Sequence, residues 1–166
     1  MKEIGIFYGS QTGTTKKIAF QIGSKLGVNE EDIIDVATCA PSKTGDYRNL
    51  ILGTSTWGNG ALERDWQSFI DGLEAVSLRG KKVALFGCGD VRMKKTFCAG
   101  VGELYKRLQQ TGADFIGDYD LVGYDITETP ARIDGKVVGL LLDVVNHPEA
   151  TKLRTDGWTD KIRQEL

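Results

Sequence analysis

This chain has little with which to build a disulfide framework, a metal cluster or a membrane span. It has only three cysteines, Cys39, Cys88 and Cys98, with no Cys-x-x-Cys pair. Reduced thiols in a cytoplasmic setting are therefore expected instead of a disulfide framework. His147 is the single histidine, and no cysteine or carboxylate cluster stands at ligand spacing around it, so no metal site is expected. No apolar run approaches the ~20 residues of a membrane span. Met1-Lys2-Glu3-Ile4 leads straight into a β-prone segment, which argues against a signal peptide. Repeats, low-complexity segments and linkers are missing too. The formal charge is only −2 and the pI is near 5.5, so there is no electrostatic footprint for nucleic acid. A chain of 166 residues most simply makes a single domain over 1–166, long enough to bury a core without staples.

Two familiar phosphate motifs are also missing. Three residues, not four, separate Gly9 from Gly13, and Thr14 follows where a Walker A loop has lysine; no Gly-x-Gly-x-x-Gly occurs. What stands there instead is Ile4-Gly5-Ile6-Phe7-Tyr8-Gly9-Ser10-Gln11-Thr12-Gly13-Thr14-Thr15, an apolar segment running into Gly, Ser and Thr and then into a helical pattern. Strand, tight turn and helix in that order aim backbone N–H groups and the positive end of a helix dipole at one spot, where an anion binds. The hydroxyls of Ser10, Thr12, Thr14 and Thr15 add uncharged donors. Such a cradle suits a phosphate monoester. A polar turn capping a helix would look similar, and the rest of the chain decides between them.

Ile18, Ile22 and Leu26 recur at helical spacing, and Gly27 makes a plausible stop. Asp32 to Val36 reads as a second strand and Asn49 to Thr54 as a third, followed by Ser55-Thr56-Trp57-Gly58-Asn59-Gly60. A helix carries Trp66, Phe69, Ile70 and Leu73 on one face. Val83 to Gly87 is the fourth strand, emptying into Cys88-Gly89-Asp90-Val91-Arg92-Met93, and the next helix carries Val101, Leu104, Tyr105 and Leu108. The last strand comes in two pieces, Phe115-Ile116 and Val137 to Leu142, with Gly117 to Lys136 inserted between them. A final helix begins near Glu149. Alternating strands and helices, with strands apolar on both faces, predict a doubly wound α/β domain built on a parallel sheet. Ligands of such sheets bind beyond the carboxyl ends of the strands.

The three strand-end loops, with Asp65-Trp66 after the second, resemble the flavin-binding loops of flavodoxins. The stretch from Gly123-Tyr124-Asp125 through Gly135 to Leu140, with Asp143 and Asn146, resembles the insertion that splits the fifth strand in the long-chain members. The likeness runs over essentially the whole chain. It implies a flavodoxin-like five-stranded sheet of order 2-1-3-4-5, flavodoxin being itself the standard example of that order with FMN at its switch point. It also implies non-covalently bound FMN held by Ser10, Gln11, Thr12, Gly13, Thr14 and Thr15, by Thr54, Ser55, Thr56, Trp57, Gly58, Asn59 and Gly60, and by Cys88, Gly89, Asp90, Met93, Phe97 and Cys98. Trp57, on an otherwise polar segment, offers a face for stacking. Asp90 meets the pyrimidine edge of the ring, though helix capping would use the same residue. Gly58 tolerates the peptide flip that accompanies one-electron reduction in flavodoxins. Trp66 and Trp158 are assigned to the core.

By this resemblance the protein is a monomeric low-potential one-electron carrier, not an enzyme. It shuttles FMN between semiquinone and hydroquinone and meets a reductase donor and an acceptor enzyme transiently, with no nucleic acid or membrane partner. An FMN-dependent quinone or NAD(P)H reductase of the same fold is the alternative. A phospho-receiver is disfavoured because the first strand ends without the acidic cluster that holds Mg²⁺. The third loop departs from the family pattern. It is one residue shorter, has no Tyr to cover the second flavin face, and carries Arg92, Lys94 and Lys95 where acidic residues are usual; Ala61 replaces the customary Glu.

Overall fold

In the computed structural model, which describes residues 1–166, the apolar run after Lys2 forms β1 (Lys2–Gly9), and α1 (Thr14–Leu26) follows directly. The chain continues through β2 (Ile33–Asp35), β3 (Tyr47–Trp57), β4 (Ala61–Leu62), α2 (Arg64–Leu73), β5 (Lys82–Cys88), α3 (Ala99–Leu108) and β6 (Asp114–Ile116). It closes with β7 (Arg132–Ile133), β8 (Lys136–Val137), β9 (Leu140–Leu142) and α4 (Pro148–Glu165). The sheet order is β2-β1-β3-β5-β6, all parallel, and β9 pairs with β5 beyond the end of β6. Counting β6 and β9 as one interrupted strand gives the expected five-stranded order with helices on both faces.

Each face has its own core. Ile6, Ile51, Phe86 and Leu140 pack against Ile18 and Ile22 of α1 and Trp158 and Ile162 of α4. Phe7, Leu50, Leu52 and Leu85 pack against Trp66, Phe69 and Leu73 of α2 and Val101 and Leu104 of α3. Strands buried on both sides have no polar face to alternate with, hence the continuous apolar runs. Trp66 and Trp158 are fully buried, as core residues should be, and their indole N–H groups donate to Gly53 O and Gly117 O. Gly27 does end α1. It takes φ 71°, and Val28 N–H reaches back to Gly23 O at 2.8 Å, the hydrogen bond of a left-handed helix stop.

The second piece of the last strand differs from the expectation. Only Leu140–Leu142 joins β5. Val137 belongs instead to an antiparallel hairpin, paired with Arg132. Asp134 and Gly135 form its two-residue turn, with φ of 52° and 81°; a hairpin turn with both central residues at positive φ favours Asp-Gly. Gly139 then passes so close to β5 that a Cβ there would stand 2.3 Å from Leu85 O, so the chain joins the sheet only after it.

The inserted segment is clasped by Arg154 of α4, only 5% exposed. Its guanidinium donates to Asp120 O, Val122 O and Leu141 O and lies over the Tyr124 ring at 4.8 Å. Burial lowers its pKa from the usual value, while the neighbouring Tyr124 and Tyr119 oppose that. Held this way, Tyr124 places its hydroxyl 2.9 Å from Asp143 N–H, at the end of β9. No helix is long and apolar enough to cross a membrane.

Candidate functional site

The loops after β1, β3, β5 and β9 meet at the carboxyl edge of the sheet and enclose a cleft of about 420 Å³. Its first wall is the turn into α1. Ser10 Oγ accepts from Gly13 N–H at 3.1 Å, and Gly13 takes φ 91°, a conformation glycine adopts without steric cost. α1 has no side-chain cap on its N-terminus, so its first-turn N–H groups lack partners within the helix. Thr12 and Thr14 stand with their hydroxyls 3.4 Å apart. Thr15 is 1% exposed, and its Oγ1 makes no hydrogen bond to a nitrogen or oxygen of the protein, with only the Cys88 thiol alongside. A buried hydroxyl left in that state is costly unless a ligand completes it.

This turn is tied to the second loop by Glu63, which the sequence reading did not single out. Glu63 is fully buried and caps α2 by accepting from Asp65 N–H and Trp66 N–H at 3.0 and 3.1 Å. Its other oxygen accepts from the Gln11 amide. Gly9 must be small here, because a Cβ would stand 2.1 Å from Glu63 Oε1.

The second wall is Ser55, Thr56 and Trp57. Trp57 is not on a free loop, as its polar neighbours suggested. It is the last residue of β3 and pairs with Ala61 of β4, turning through Gly58, Asn59 and Gly60. Gly58 and Gly60 take φ of 52° and 98°. The indole is 42% exposed and is oriented by its N–H donating to Ser55 Oγ at 2.8 Å. Thr56 Oγ1 accepts from Gly100 N–H at 2.9 Å, joining this loop to α3.

The third wall combines Cys88, Gly89, Asp90 and Arg92 with Asp143, Val144, Val145 and Asn146 of the loop after β9. Asp143 is fully buried. It accepts from Val91 N–H at 2.9 Å, Asn146 N–H at 2.9 Å and the Asn146 side-chain amide at 2.7 Å. That amide also donates to Asp90 Oδ1 at 3.0 Å. Asp90 further accepts from Arg92 N–H at 2.9 Å and from its guanidinium, Nε to Oδ1 at 3.0 Å and Nη2 to Oδ2 at 2.8 Å. The Arg92 contact is the largest cause holding the Asp90 carboxyl at about 2. Burial pushes the Cys88 thiol up to about 12 and raises Cys98 as well, so both stay protonated at neutral pH.

The cleft therefore gathers Ser10, Gln11, Thr12, Thr14, Thr15, Ser55, Thr56, Trp57, Cys88, Gly89 and Asp90. Gly13, Thr54, Gly58, Asn59 and Gly60 belong to the same segments but do not line it. Met93 points to solvent, 47% exposed. The Phe97 and Cys98 side chains are at most 1% exposed and also lie outside the lining. Phe97 meets Tyr124 edge-on at 5.8 Å in the core, and Cys98 Sγ faces Gly87 O at 3.8 Å. Val144 and Val145 carry no sequence signal for the site. The sequence reading quoted Asp143 and Asn146 for the insertion, not for the cleft.

A family model described as flavodoxin matches residues 6–158. Among similar proteins, a flavodoxin of Synechocystis sp. is 38% identical over 170 residues, covering 100% of this chain and 99% of its own length. Flavodoxin 1 of Escherichia coli is 36% identical over 164 residues, covering 98% and 93%. Among solved structures, a Fusobacterium nucleatum flavodoxin bound to flavin mononucleotide superposes with a TM-score of 0.88 at 32% identity, covering 100% of this chain and 99% of that one.

Proposed function

Because the chain belongs to the flavodoxin family, we propose that it is an electron-transfer protein, not an enzyme. In this reading it binds FMN in the cleft and carries single electrons from a reductase to an acceptor enzyme as a cytoplasmic monomer. When bound, FMN supplies one-electron chemistry between its semiquinone and hydroquinone states, and the protein sets the potentials by binding those states unequally. The observation that carries the reading is the Thr15 hydroxyl, buried at an uncapped helix N-terminus in the lining of the same cleft as the exposed Trp57 indole.

The residues fit FMN end to end. Ser10, Thr12, Thr14 and Thr15 and the N-terminus of α1 supply donors for a phosphate. Trp57 offers a flat apolar face, set by Ser55, against a flat ring. Asp90 and Asn146 place an acceptor and an amide side by side for the polar edge of that ring. Gly58, already at φ 52° in the turn beside the cleft, tolerates a flip of the peptide after Trp57 without steric cost. Burial keeps the Cys88 thiol protonated near pH 7.

Fluorescence titration of the protein with FMN should give a yellow one-to-one complex with quenched flavin emission. The same complex should oxidise NADH and NADPH no faster than free FMN does. Failure to bind would overturn the proposal, and steady turnover of a nicotinamide would mark a reductase instead.

A further inference from the structure

A surface arginine normally swings free, but Arg92 does not. Although its side chain is 73% exposed, three hydrogen bonds lock it to Asp90, with Nε at 3.0 and 3.2 Å from the two carboxylate oxygens and Nη2 at 2.8 Å. Asp90 is immobilised in turn by the Asn146 amide at 3.0 Å, and Asn146 by the fully buried Asp143. This chain of contacts anchors a cation in the lining of the cleft, one strand over from Trp57. Bidentate planar pairing is what a guanidinium does and an ammonium cannot.

The other carboxylate lining this wall is Asp143. Lys94 and Lys95 follow on the same loop, but they are exposed and line a separate open recess with Asp125 and Glu128. Arg92 is thus the one cation among the residues lining the cleft.

Resting on the FMN reading above, we infer that Arg92 is the residue that sets the electrostatic preference of the cleft. Clamped by Asp90, it presents a fixed positive charge and a flat guanidinium to the flavin, offsets the Asp90 and Asp143 carboxylates, and favours the anionic reduced ring. Without it, the Asp90 carboxylate would stand uncompensated in the cleft, with the buried Asp143 carboxylate joined to it through Asn146, and like charges at close range disfavour binding of that anion.

The test is a potentiometric titration of the FMN-loaded wild type, Arg92→Gln and Lys94→Gln/Lys95→Gln, with the dissociation constant for oxidised FMN measured on each. Arg92 is exposed, so its variant should melt with the wild type. Arg92→Gln should weaken binding of the hydroquinone about tenfold more than that of the one-electron-reduced form, lowering the second couple by about 59 mV. The double lysine variant should move it much less. An unchanged couple in Arg92→Gln, or an equal shift in the lysine variant, overturns the inference. Failure of the wild type to bind FMN overturns the reading beneath it instead.

Discussion

Asp143→Ala is expected to lower the midpoint of thermal unfolding by about 10 °C. The carboxylate is fully buried and satisfies Val91 N–H, Asn146 N–H and the Asn146 amide. Each buried donor left unpaired costs about 1–3 kcal/mol. Only Val91 N–H is fully buried; about 2 kcal/mol for it and about 1 kcal/mol for each of the two part-buried Asn146 donors gives roughly 4 kcal/mol, and a chain of this size loses about 2–4 °C per kcal/mol. The effect reaches function through Asn146, which holds Asp90, so FMN affinity should fall along with the melt. Asp143→Asn keeps an acceptor of the same shape and should lose about half as much. Circular dichroism melts of the two variants check this. An alanine variant melting with the wild type would show that the loop after β9 finds other partners.

Trp57→Ala should weaken FMN binding roughly 30-fold, about 2 kcal/mol, from lost stacking and lost buried area together, and should leave the fold intact. The indole is 42% exposed and bonds only to Ser55 within its own loop, so the core does not depend on it. Trp57→Phe keeps a flat ring and should recover most of the affinity. Fluorescence titration reads both. An alanine variant with wild-type affinity would remove Trp57 from the site.

The parts of this molecule that could be read from the sequence are those governed by local pattern. Leu50 to Leu52 and Val83 to Phe86 are apolar without alternation because both faces of their strands are covered. The turn from Gly9 to Thr15 carries its chemistry in consecutive residues. Features that depend on distant segments meeting were harder to see. Glu63 looks like a surface carboxylate until Gln11, 52 positions away, donates to it. Asp143 and Asn146 reach the cleft only because β9 pairs with β5 and sets them beside Asp90 and Val91. Trp57 passes for a loop residue because its strand is extended only by pairing with two residues, Ala61 and Leu62. The hairpin was hidden although a local signal for it exists. Asp134-Gly135 is a strong turn signal, and the apolar residues after it masked it as the beginning of a longer strand.

The central claim is that this cleft holds FMN as a one-electron carrier with Gly58 as its hinge. The most direct measurement is the visible spectrum during stepwise anaerobic photoreduction of the FMN-loaded protein. A long-lived blue neutral semiquinone between the yellow and bleached forms is the expected result. Direct two-electron bleaching, with no blue species at any step, would contradict it.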